Sequence, residues 1–276
     1  PIATSSGGGS AVPTRGGTIG EVPHEREVPH CPLSPSGRSP TGGSGLTVQS
    51  SQLIAHCSKL PAPVASPYAH PMAVSFRRAT PDDVEPAIPL IYSSGPTAFD
   101  FVFGSPKATA HDFLRSAYLD GKGTFGYPTH TVAIQAGVVV GIAATTTASG
   151  IGDMLTATRQ IMRVYGASTP TIVKQGLGIE RVIKPPKKGV HYIGHVGVDP
   201  DLRGQGIGTA LMEHVIAEGR AIGRSTAELD VSVENPRAQE LYERLGFRVT
   251  EQIESDLRND YGYVCAHRRM VLDLSA

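Results

Sequence analysis

The stretch Val196-Gly-Val-Asp-Pro-Asp-Leu-Arg-Gly-Gln-Gly-Ile-Gly-Thr-Ala-Leu211 decides the fold of this chain. A β-branched run leads into a turn with glycine at 204, 206 and 208, and an apolar stripe at helical spacing follows. The stripe consists of Leu211, Met212, Val215 and Ile216. This pattern predicts a buried strand, a tight turn and a helix that packs on a sheet. Backbone N–H groups of such a turn, at the positive end of a helix, form an anion site suited to a pyrophosphate.

Two common phosphate-binding loops do not fit this turn. A P-loop ends in Gly-Lys-Ser/Thr, whereas Gly208 is followed by Thr-Ala, and a dinucleotide fingerprint needs a G-x-G-x-x-G spacing that is absent here. The spacing Arg203-x-x-Gly206-x-Gly208 instead resembles the Q/R-x-x-G-x-G/A acyl-CoA signature of the GNAT superfamily of N-acetyltransferases. The alternative is a glycine-rich turn before an ordinary helix, and the downstream sequence decides between the two.

The stretch Leu229-Asp-Val-Ser-Val-Glu-Asn-Pro-Arg-Ala-Gln-Glu-Leu-Tyr-Glu-Arg-Leu-Gly-Phe247 resembles the second motif of that superfamily, strand, Asn, helix, Tyr, Gly-Phe, strand. Residues 72–276 are therefore identified as a GNAT domain, although the segment from 80 to 185 matches only in its pattern of elements. The resemblance implies an α/β fold with a central, mostly antiparallel twisted sheet of about six to seven strands, flanked by helices. It also implies that the strand at 191–198 splays from the strand at 226–233 at a β-bulge.

Strand and helix patterns alternate through the rest of the domain. Strands are predicted at 74–79, 131–135, 138–146, 190–198, 226–233, 247–255 and 264–274, and helices at 80–91, 111–119, 152–183 with a break near 166–170, 206–219 and 236–245. Ala136-Gly137 marks a hairpin between the second and third strands. His267-Arg-Arg269 is predicted to lie on an edge strand and to face solvent.

The resemblance assigns coenzyme A to the cleft at the splayed strands. It implies that the backbone of Val196 and Val198 binds the pantetheine arm, with a strand N–H polarising the thioester carbonyl. The residues that would hold the pyrophosphate are Arg203, Gly204, Gln205, Gly206, Ile207 and Gly208. Asn235 either caps the helix that begins at Pro236 or makes a polar contact with coenzyme A.

Transfer in this superfamily is direct, so an acid and a base are needed. Tyr242 occupies the position of the general acid that protonates the departing thiolate. Its other interpretation is a core aromatic, because it shares one apolar helical face with three other side chains. Those side chains are Ala238, Leu241 and Leu245.

The base that deprotonates the amine has three candidates. His195 comes first, because it directly precedes the pantetheine-binding backbone and an ordinary histidine titrates near neutrality. Strict alternation places His191, Ile193, His195 and Gly197 on one face of the strand and Tyr192, Gly194, Val196 and Val198 on the other. His191 is therefore the second candidate. Glu228 or Asp230 on the neighbouring strand, through water, is the third.

Two further segments are candidates for contact with an acceptor or a partner. Residues 93–103 follow the first helix and contain Phe99, Phe101 and Phe103, which either pack in the core or line the acceptor pocket, as that region commonly does in this superfamily. Residues 184–188, Lys-Pro-Pro-Lys-Lys, either form a solvated loop or attract an acidic partner.

Composition separates the first 71 residues from the rest. They hold half of the 22 prolines and none of the 7 phenylalanines, so we expect a disordered low-complexity extension in front of a domain at 72–276. The extension is interpreted as a regulatory tail or linker, or as sequence outside the native protein if translation starts at Met72. An apolar h-region is missing, which argues against a targeting peptide.

Charge and cysteine content narrow the class of function. Lys plus Arg equals Asp plus Glu, 25 each, which gives no electrostatic basis for binding nucleic acid or an anionic membrane. The 3 cysteines are scattered, which suggests a reducing compartment, so we expect a cytoplasmic protein without a metal site.

The predicted activity is acetyl transfer from acetyl-CoA to a primary amine of a small molecule, a protein lysine or an N-terminus. A non-catalytic acyl-CoA sensor on the same fold is the alternative, and a homodimer is possible.

Overall fold

The computed structural model describes residues 73–146 and 151–275, and the statements below concern those residues. The seven strands among them are β1 (Ser75–Arg78), β2 (His130–Gln135), β3 (Val138–Thr146), β4 (His191–Val198), β5 (Thr226–Ser232), β6 (Arg248–Ile253) and β7 (His267–Asp273). The helices are α1 (Val84–Tyr92), α2 (Pro96–Phe103), α3 (Ala110–Asp120), α4 (Ile151–Tyr165), α5 (Thr169–Ile179), α6 (Ile207–Ala221) and α7 (Pro236–Arg244). None of the described helices has the length and apolar character needed to cross a bilayer.

The strands form one sheet in the order β1-β2-β3-β4-β5-β7-β6. Every neighbouring pair is antiparallel except β4 and β5, which are parallel. That parallel pair is held only at its start, where His191 faces Ala227 and Tyr192 faces Glu228. Beyond these two residues β4 and β5 separate, so a cleft opens in the middle of the sheet. The predicted mixed α/β sheet with a splay at these two strands is confirmed.

A β-bulge at His195 accompanies the splay. Ala144 of β3 pairs with Gly194, whereas Ile142 pairs with Gly197, so β4 carries one residue more than β3 over this interval. His195 takes up the extra residue with a φ of 51°, a left-handed conformation in which histidine is tolerated better than a β-branched residue.

The bulge makes the predicted strict alternation of β4 wrong. His191 and Ile193 face α6, as the alternation requires. His195 points to the opposite face, where it contacts aromatic rings, and an added Cβ at Gly197 would meet the Leu90 carbonyl oxygen of α1 at 2.2 Å. One inserted residue therefore transfers His195 from the α6 face to the pocket face.

Each face of the sheet is covered by its own apolar cluster. On one face α6 and α7 pack through Leu211, Met212 and Tyr242 on strand residues such as Leu229 and Met270. On the other face α1 to α5 build a larger cluster that is rich in phenylalanine. The cleft between β4 and β5 lies between these two layers.

Two features of the fold differ from the sequence prediction, the position of β7 in the sheet and the presence of helix α2. β7 pairs with β5 on one side and β6 on the other, so it is an interior strand, and Arg269 is buried. The solvent-facing edge predicted for His267-Arg-Arg269 is wrong. Helix α2 was not predicted, although Pro96 at its first turn is a start signal. The predictions made for residues 1–71 and for Met72 lie outside the described residues.

Candidate active site

The glycine-rich turn presents a row of free backbone N–H groups. Gly204 and Gly206 have φ values of 80° and 84°, which only glycine adopts without strain, and an added Cβ at either would meet no atom within 4 Å. Gly206 is also the N-cap of α6 and, because glycine has no side chain, cannot cap the N–H groups of the first helical turn. The N–H groups of residues 204–209 have no hydrogen-bond acceptor among the described residues. Unpaired N–H groups at a helix N-terminus are of the kind that bind anions in proteins.

The third glycine has a different role from the other two. A Cβ added at Gly208 would lie 3.6 Å from both Val198 and Leu241, which is ordinary packing contact. Gly208 therefore sits in the first turn of α6 where β4 and α7 approach. Arg203 and Gln205 are exposed beside the donor row, and Ile207 is buried beneath it. All six predicted pyrophosphate residues thus lie next to the end of β4, four in the turn and two, Ile207 and Gly208, at the start of α6.

A cavity of about 440 Å³ begins in the cleft between β4 and β5 and continues under α2 to α5. Its cleft part is lined by Tyr192, Ile193, Gly194, His195, Val196, Leu229, Asp230, Val231, Ser232, Asn235, Ala238, Tyr242 and His267. Its inner part is lined by Ser94, Gly95, Ala98, Phe99, Val102, Phe103, Phe113, Thr124, Phe125, Ala157, Ile161, Gly176, Ile179, Glu180 and Ile183. The predicted residues Val196, His195, Asn235 and Tyr242 therefore share one cavity, whose volume suits a small-molecule ligand.

Tyr242 lies on α7 with its ring packed edge-on against Phe247 at 6.1 Å between centroids. Its side chain is largely buried and lines the cavity, and its hydroxyl has no hydrogen-bond partner among the described residues. Burial raises the pKa of Tyr242 to about 12, so the phenol keeps its proton at neutral pH. The arrangement combines the two interpretations of the sequence, because the ring belongs to the core and the hydroxyl is free in the cavity.

His195 lies among aromatic rings at the junction of the two parts of the cavity. Its ring centroid is 5.0 Å from that of Phe125, 5.6 Å from that of Phe99 and 6.2 Å from that of His130. Burial, with a smaller contribution from His130, lowers the pKa of His195 to about 3. The prediction that this histidine titrates near neutrality is therefore wrong, because the apolar surroundings disfavour the charged imidazolium.

His130 also has a reduced basicity, and this makes stability depend on pH. It is fully buried, its Nδ1 lies 3.0 Å from the Gly126 carbonyl oxygen, and burial lowers its pKa to about 4 from an ordinary 6.5. Between these values the unfolded chain binds the proton and the folded chain does not. We therefore expect this group to reduce the free energy of unfolding by about 3 kcal/mol as the pH falls from 6.5 to 4. Urea titrations between pH 7.5 and 4.5 measure that loss.

The variant His130→Asn removes the titrating group while keeping a donor for Gly126. We expect its free energy of unfolding to depend less steeply on pH in that window. His111→Asn, at an exposed position of α3, is the control and should retain the slope of the unaltered protein. Equal slopes in all three proteins would show that His130 does not titrate with folding.

A buried charged cluster lies on the pocket face of β4, β5 and β7. Asp230 accepts hydrogen bonds from the Tyr192 hydroxyl at 2.9 Å and from Arg269 Nε and Nη2 at 3.1 and 2.7 Å. Arg269 Nη1 lies 3.5 Å from Glu228, and Nη2 also donates to the Lys184 carbonyl oxygen. Arg269 therefore compensates two carboxylates, one of which, Asp230, lines the cavity.

His267 was missed as a site residue. Its Nδ1 lies 2.8 Å from the Cys265 carbonyl oxygen, which places the proton on Nδ1 and leaves Nε2 as a hydrogen-bond acceptor. It lines the cavity with Ser232, whose Oγ lies 2.9 Å from Cys265 Sγ. Period-two spacing places His267 on the same strand face as Arg269. Because the sequence predicts an edge position for this strand, it does not indicate that this face lines a cavity.

Several other predicted residues have structural roles. Asn235 Oδ1 accepts the Ala238 N–H at 3.2 Å, so it caps α7 while also lining the cavity. His191 is buried with Nε2 2.8 Å from the Val215 carbonyl oxygen, on the face away from the cavity. Phe99 and Phe103 line the cavity, whereas Phe101 is buried in the core beside it. No group of three or more His, Cys, Asp or Glu side chains within the described ranges could hold a metal ion.

Comparison with known proteins adds family and fold. The family model described as Acetyltransferase (GNAT) family matches residues 106–247, just over half of the chain. An uncharacterized N-acetyltransferase of Methanocaldococcus jannaschii is 47% identical over 72 residues, 26% of this chain and 32% of that protein. The [ribosomal protein bS18]-alanine N-acetyltransferase of Escherichia coli K12 is 42% identical over 67 residues, 24% of this chain and 42% of that protein. The chain thus spans less than half the length of these curated relatives.

Among solved structures, an N-acetyltransferase from Staphylococcus aureus Mu50 matches with a TM-score of 0.50. The two sequences are 18% identical, and the match covers 72% of this chain and all of that one. At this identity the match shows a shared fold.

Proposed function

Since the chain belongs to the GNAT family of acyltransferase enzymes, we propose that it transfers an acetyl group from acetyl-CoA directly to a primary amine. The observation that carries the proposal is the row of six N–H groups at 204–209, which have no acceptor among the described residues and follow directly on β4, the strand that separates from β5. A diphosphate on the turn and a pantetheine arm along β4 would bring the thioester to the Tyr242 hydroxyl. A non-catalytic acyl-CoA sensor needs no free phenol at that place.

Binding of coenzyme A would use backbone groups more than side chains. Residues 203–208 would hold the pyrophosphate through the donor row, with Arg203 adding positive charge. Past Tyr192, the edge of β4 that faces β5 has no ladder partner in the part of the chain that the structure describes, so the backbone around Val196 and Val198 is available to pair with the pantetheine amides. A free N–H on the same edge would stabilise negative charge on the thioester oxygen.

The proposed reaction has one tetrahedral intermediate. The amine lone pair attacks the thioester carbon and forms the C–N bond, while the carbonyl electron pair moves to oxygen. When the carbonyl re-forms, the C–S bond breaks and the Tyr242 hydroxyl donates to the departing sulfur. The phenol regains its proton from solvent.

The excess proton of the amine must pass to a group on the cavity wall. His195, with a pKa of about 3, cannot deprotonate an alkylammonium near 10, so its proposed role is to accept a hydrogen bond from an amine that is already neutral. Asp230 already accepts three hydrogen bonds from Tyr192 and Arg269. His267 Nε2 has no partner among the described residues, so we propose it, directly or through water, as the proton acceptor.

Calorimetry with acetyl-CoA and a thiol-release assay across a set of amines test the proposal. We expect acetyl-CoA to bind in a one-to-one ratio and free coenzyme A to appear only when an amine is added. Binding without release on any amine would favour the sensor. No binding would remove the assignment of the glycine turn.

The conformation of Gly206 should matter for cofactor binding. In Gly206→Ala the added Cβ meets open space, but the φ of 84° costs an L-residue about 1–2 kcal/mol, so the turn would relax and misalign its donors. We expect the Kd for coenzyme A to rise about tenfold, measured by calorimetry.

Gly223→Ala is the matched control for this change. Gly223, just past the other end of α6, has a φ of 71° and equally open space around its Cβ position, so backbone strain is similar. We expect it to lower stability without changing the Kd. Equal losses of affinity in both variants would attribute the effect to strain in α6 instead of the donor row.

A further inference from the structure

The inner part of the cavity forms an aromatic chamber, which we define by Phe99, Phe103, Phe113 and Phe125 together with Ile161 and Ile179. The four phenyl rings contact one another with centroid separations between 4.0 and 6.4 Å, in stacked and edge-on arrangements. Ile161 on α4 and Ile179 on α5 add aliphatic walls. The chamber therefore presents a preformed apolar surface to whatever occupies the acceptor side of the site.

Ionised groups are scarce around this chamber. Among the described lining residues, only Glu180 and Asp230 carry carboxylates, and none is a lysine or arginine. Asp230 is compensated by Arg269, and Glu180 is exposed. The imidazole of His195, with its pKa near 3, stays neutral. A ligand charge placed among the phenylalanine rings would lose its hydration and would gain at most the exposed, water-screened carboxylate of Glu180, which is unfavourable.

His195 connects the chamber to the cofactor cleft. Its ring contacts Phe99 and Phe125 of the chamber, and its backbone leads directly into Val196 of the proposed pantetheine edge. An amine beside His195 would therefore extend its substituent among the phenylalanine rings.

From this arrangement we infer that the acceptor is a small monoamine whose single amino group is attached to an apolar or aromatic body without a second charge. The inference rests on the proposed function and adds the substrate class. It excludes polyamines, whose second ammonium would enter the chamber, and amino acids, whose carboxylate would find no cation there.

A set of acceptors that differ only in the far end of the molecule tests the inference. Hexylamine, 1,6-diaminohexane and 6-aminohexanoate share one chain length and reactive amine, and 2-phenylethylamine adds an aromatic body. We expect kcat/KM, from coenzyme A release, to be roughly 100-fold higher for hexylamine and 2-phenylethylamine than for the two doubly charged compounds. Equal or higher values for the diamine, the amino acid or a short peptide would overturn the inference.

A charge placed in the chamber should reverse the preference. Ile179→Asp puts a carboxylate on the chamber wall, so the ratio of kcat/KM for diaminohexane to that for hexylamine should rise at least tenfold. Leu177→Asp is the control, because Leu177 lies on the same helix, is 56% exposed and does not line the cavity. We expect it to leave the ratio unchanged, and a similar ratio in both variants would contradict the chamber as the acceptor site.

Failure of the inference can be separated from failure of the proposed function. Saturation-transfer NMR with 2-phenylethylamine and coenzyme A reports acceptor binding without any turnover. Similar kcat/KM values for charged and uncharged amines would support the acetyltransferase activity and contradict the chamber as the acceptor site. If 2-phenylethylamine binds, Ile179→Asp weakens that binding and no amine is acetylated, the chamber would be supported as a binding site and the enzymatic activity contradicted.

Discussion

Arg269→Met is expected to lower the free energy of unfolding by about 3–5 kcal/mol, because it removes the one cation among the described residues that contacts Glu228 and Asp230. The two carboxylate side chains on β5 are 11% and 4% exposed, and the single hydrogen bond from Tyr192 to Asp230 does not replace a positive charge. Methionine keeps the apolar length of the side chain, so the loss of unfolding free energy would come from the missing charge and not from a change in side-chain volume. Urea unfolding at pH 7.5 measures it.

The adjacent arginine provides the control. Arg268 lies on the other face of β7, donates to Gln239 and Gln252, and has no carboxylate partner within the described ranges, so Arg268→Met should cost less than about 1 kcal/mol. The double variant Asp230→Asn with Arg269→Met should recover part of the lost stability. If both single variants lose the same amount, or the double variant recovers none, the cluster is not held by charge.

The same cluster shows what the sequence could and could not supply. Period-two spacing places Arg269 and His267 on one face of a strand, and this part of the prediction needed only local geometry. Which neighbours that face has depends on strand order, and β7 lies between β5 and β6 although β6 precedes it in the chain. The alternation of residues within one strand contains no information on strand order, and the sequence therefore predicts an edge strand where the structure has an interior one.

The bulge at His195 illustrates a second limit. The resemblance implied a splay of β4 from β5, but the alternation of β4 was predicted as if the strand were regular. One extra residue reverses every later side chain, and its position depends on pairing with Ala144 and Ile142 of β3.

The glycine turn was predictable because its function resides in the backbone, where glycine spacing is sufficient. The pKa of His195 was not, because rings distant in sequence, such as Phe99 and Phe125, provide its apolar environment.

The second large effect is expected from Tyr242→Phe, which should reduce kcat about 100-fold or more if the phenol donates to the departing thiolate. Because the Tyr242 hydroxyl has no hydrogen-bond partner among the described residues, its removal should leave stability and the Kd for coenzyme A close to those of the unaltered protein. Burial holds the pKa of Tyr242 at about 12, so no loss of activity through its ionisation is expected below pH 10. Steady-state kinetics, calorimetry and urea unfolding measure the three quantities.

Tyr118→Phe should show the opposite combination. Tyr118 is fully buried and does not line the cavity, and its hydroxyl donates to the carbonyl oxygen of the exposed residue Thr80 at 3.1 Å. Losing that bond should cost about 1 kcal/mol of stability and leave kcat unchanged. A Tyr242→Phe enzyme with full turnover would reduce this tyrosine to its packing role on α7, and the thiolate would then have to leave with a proton from solvent, which can enter the same cleft.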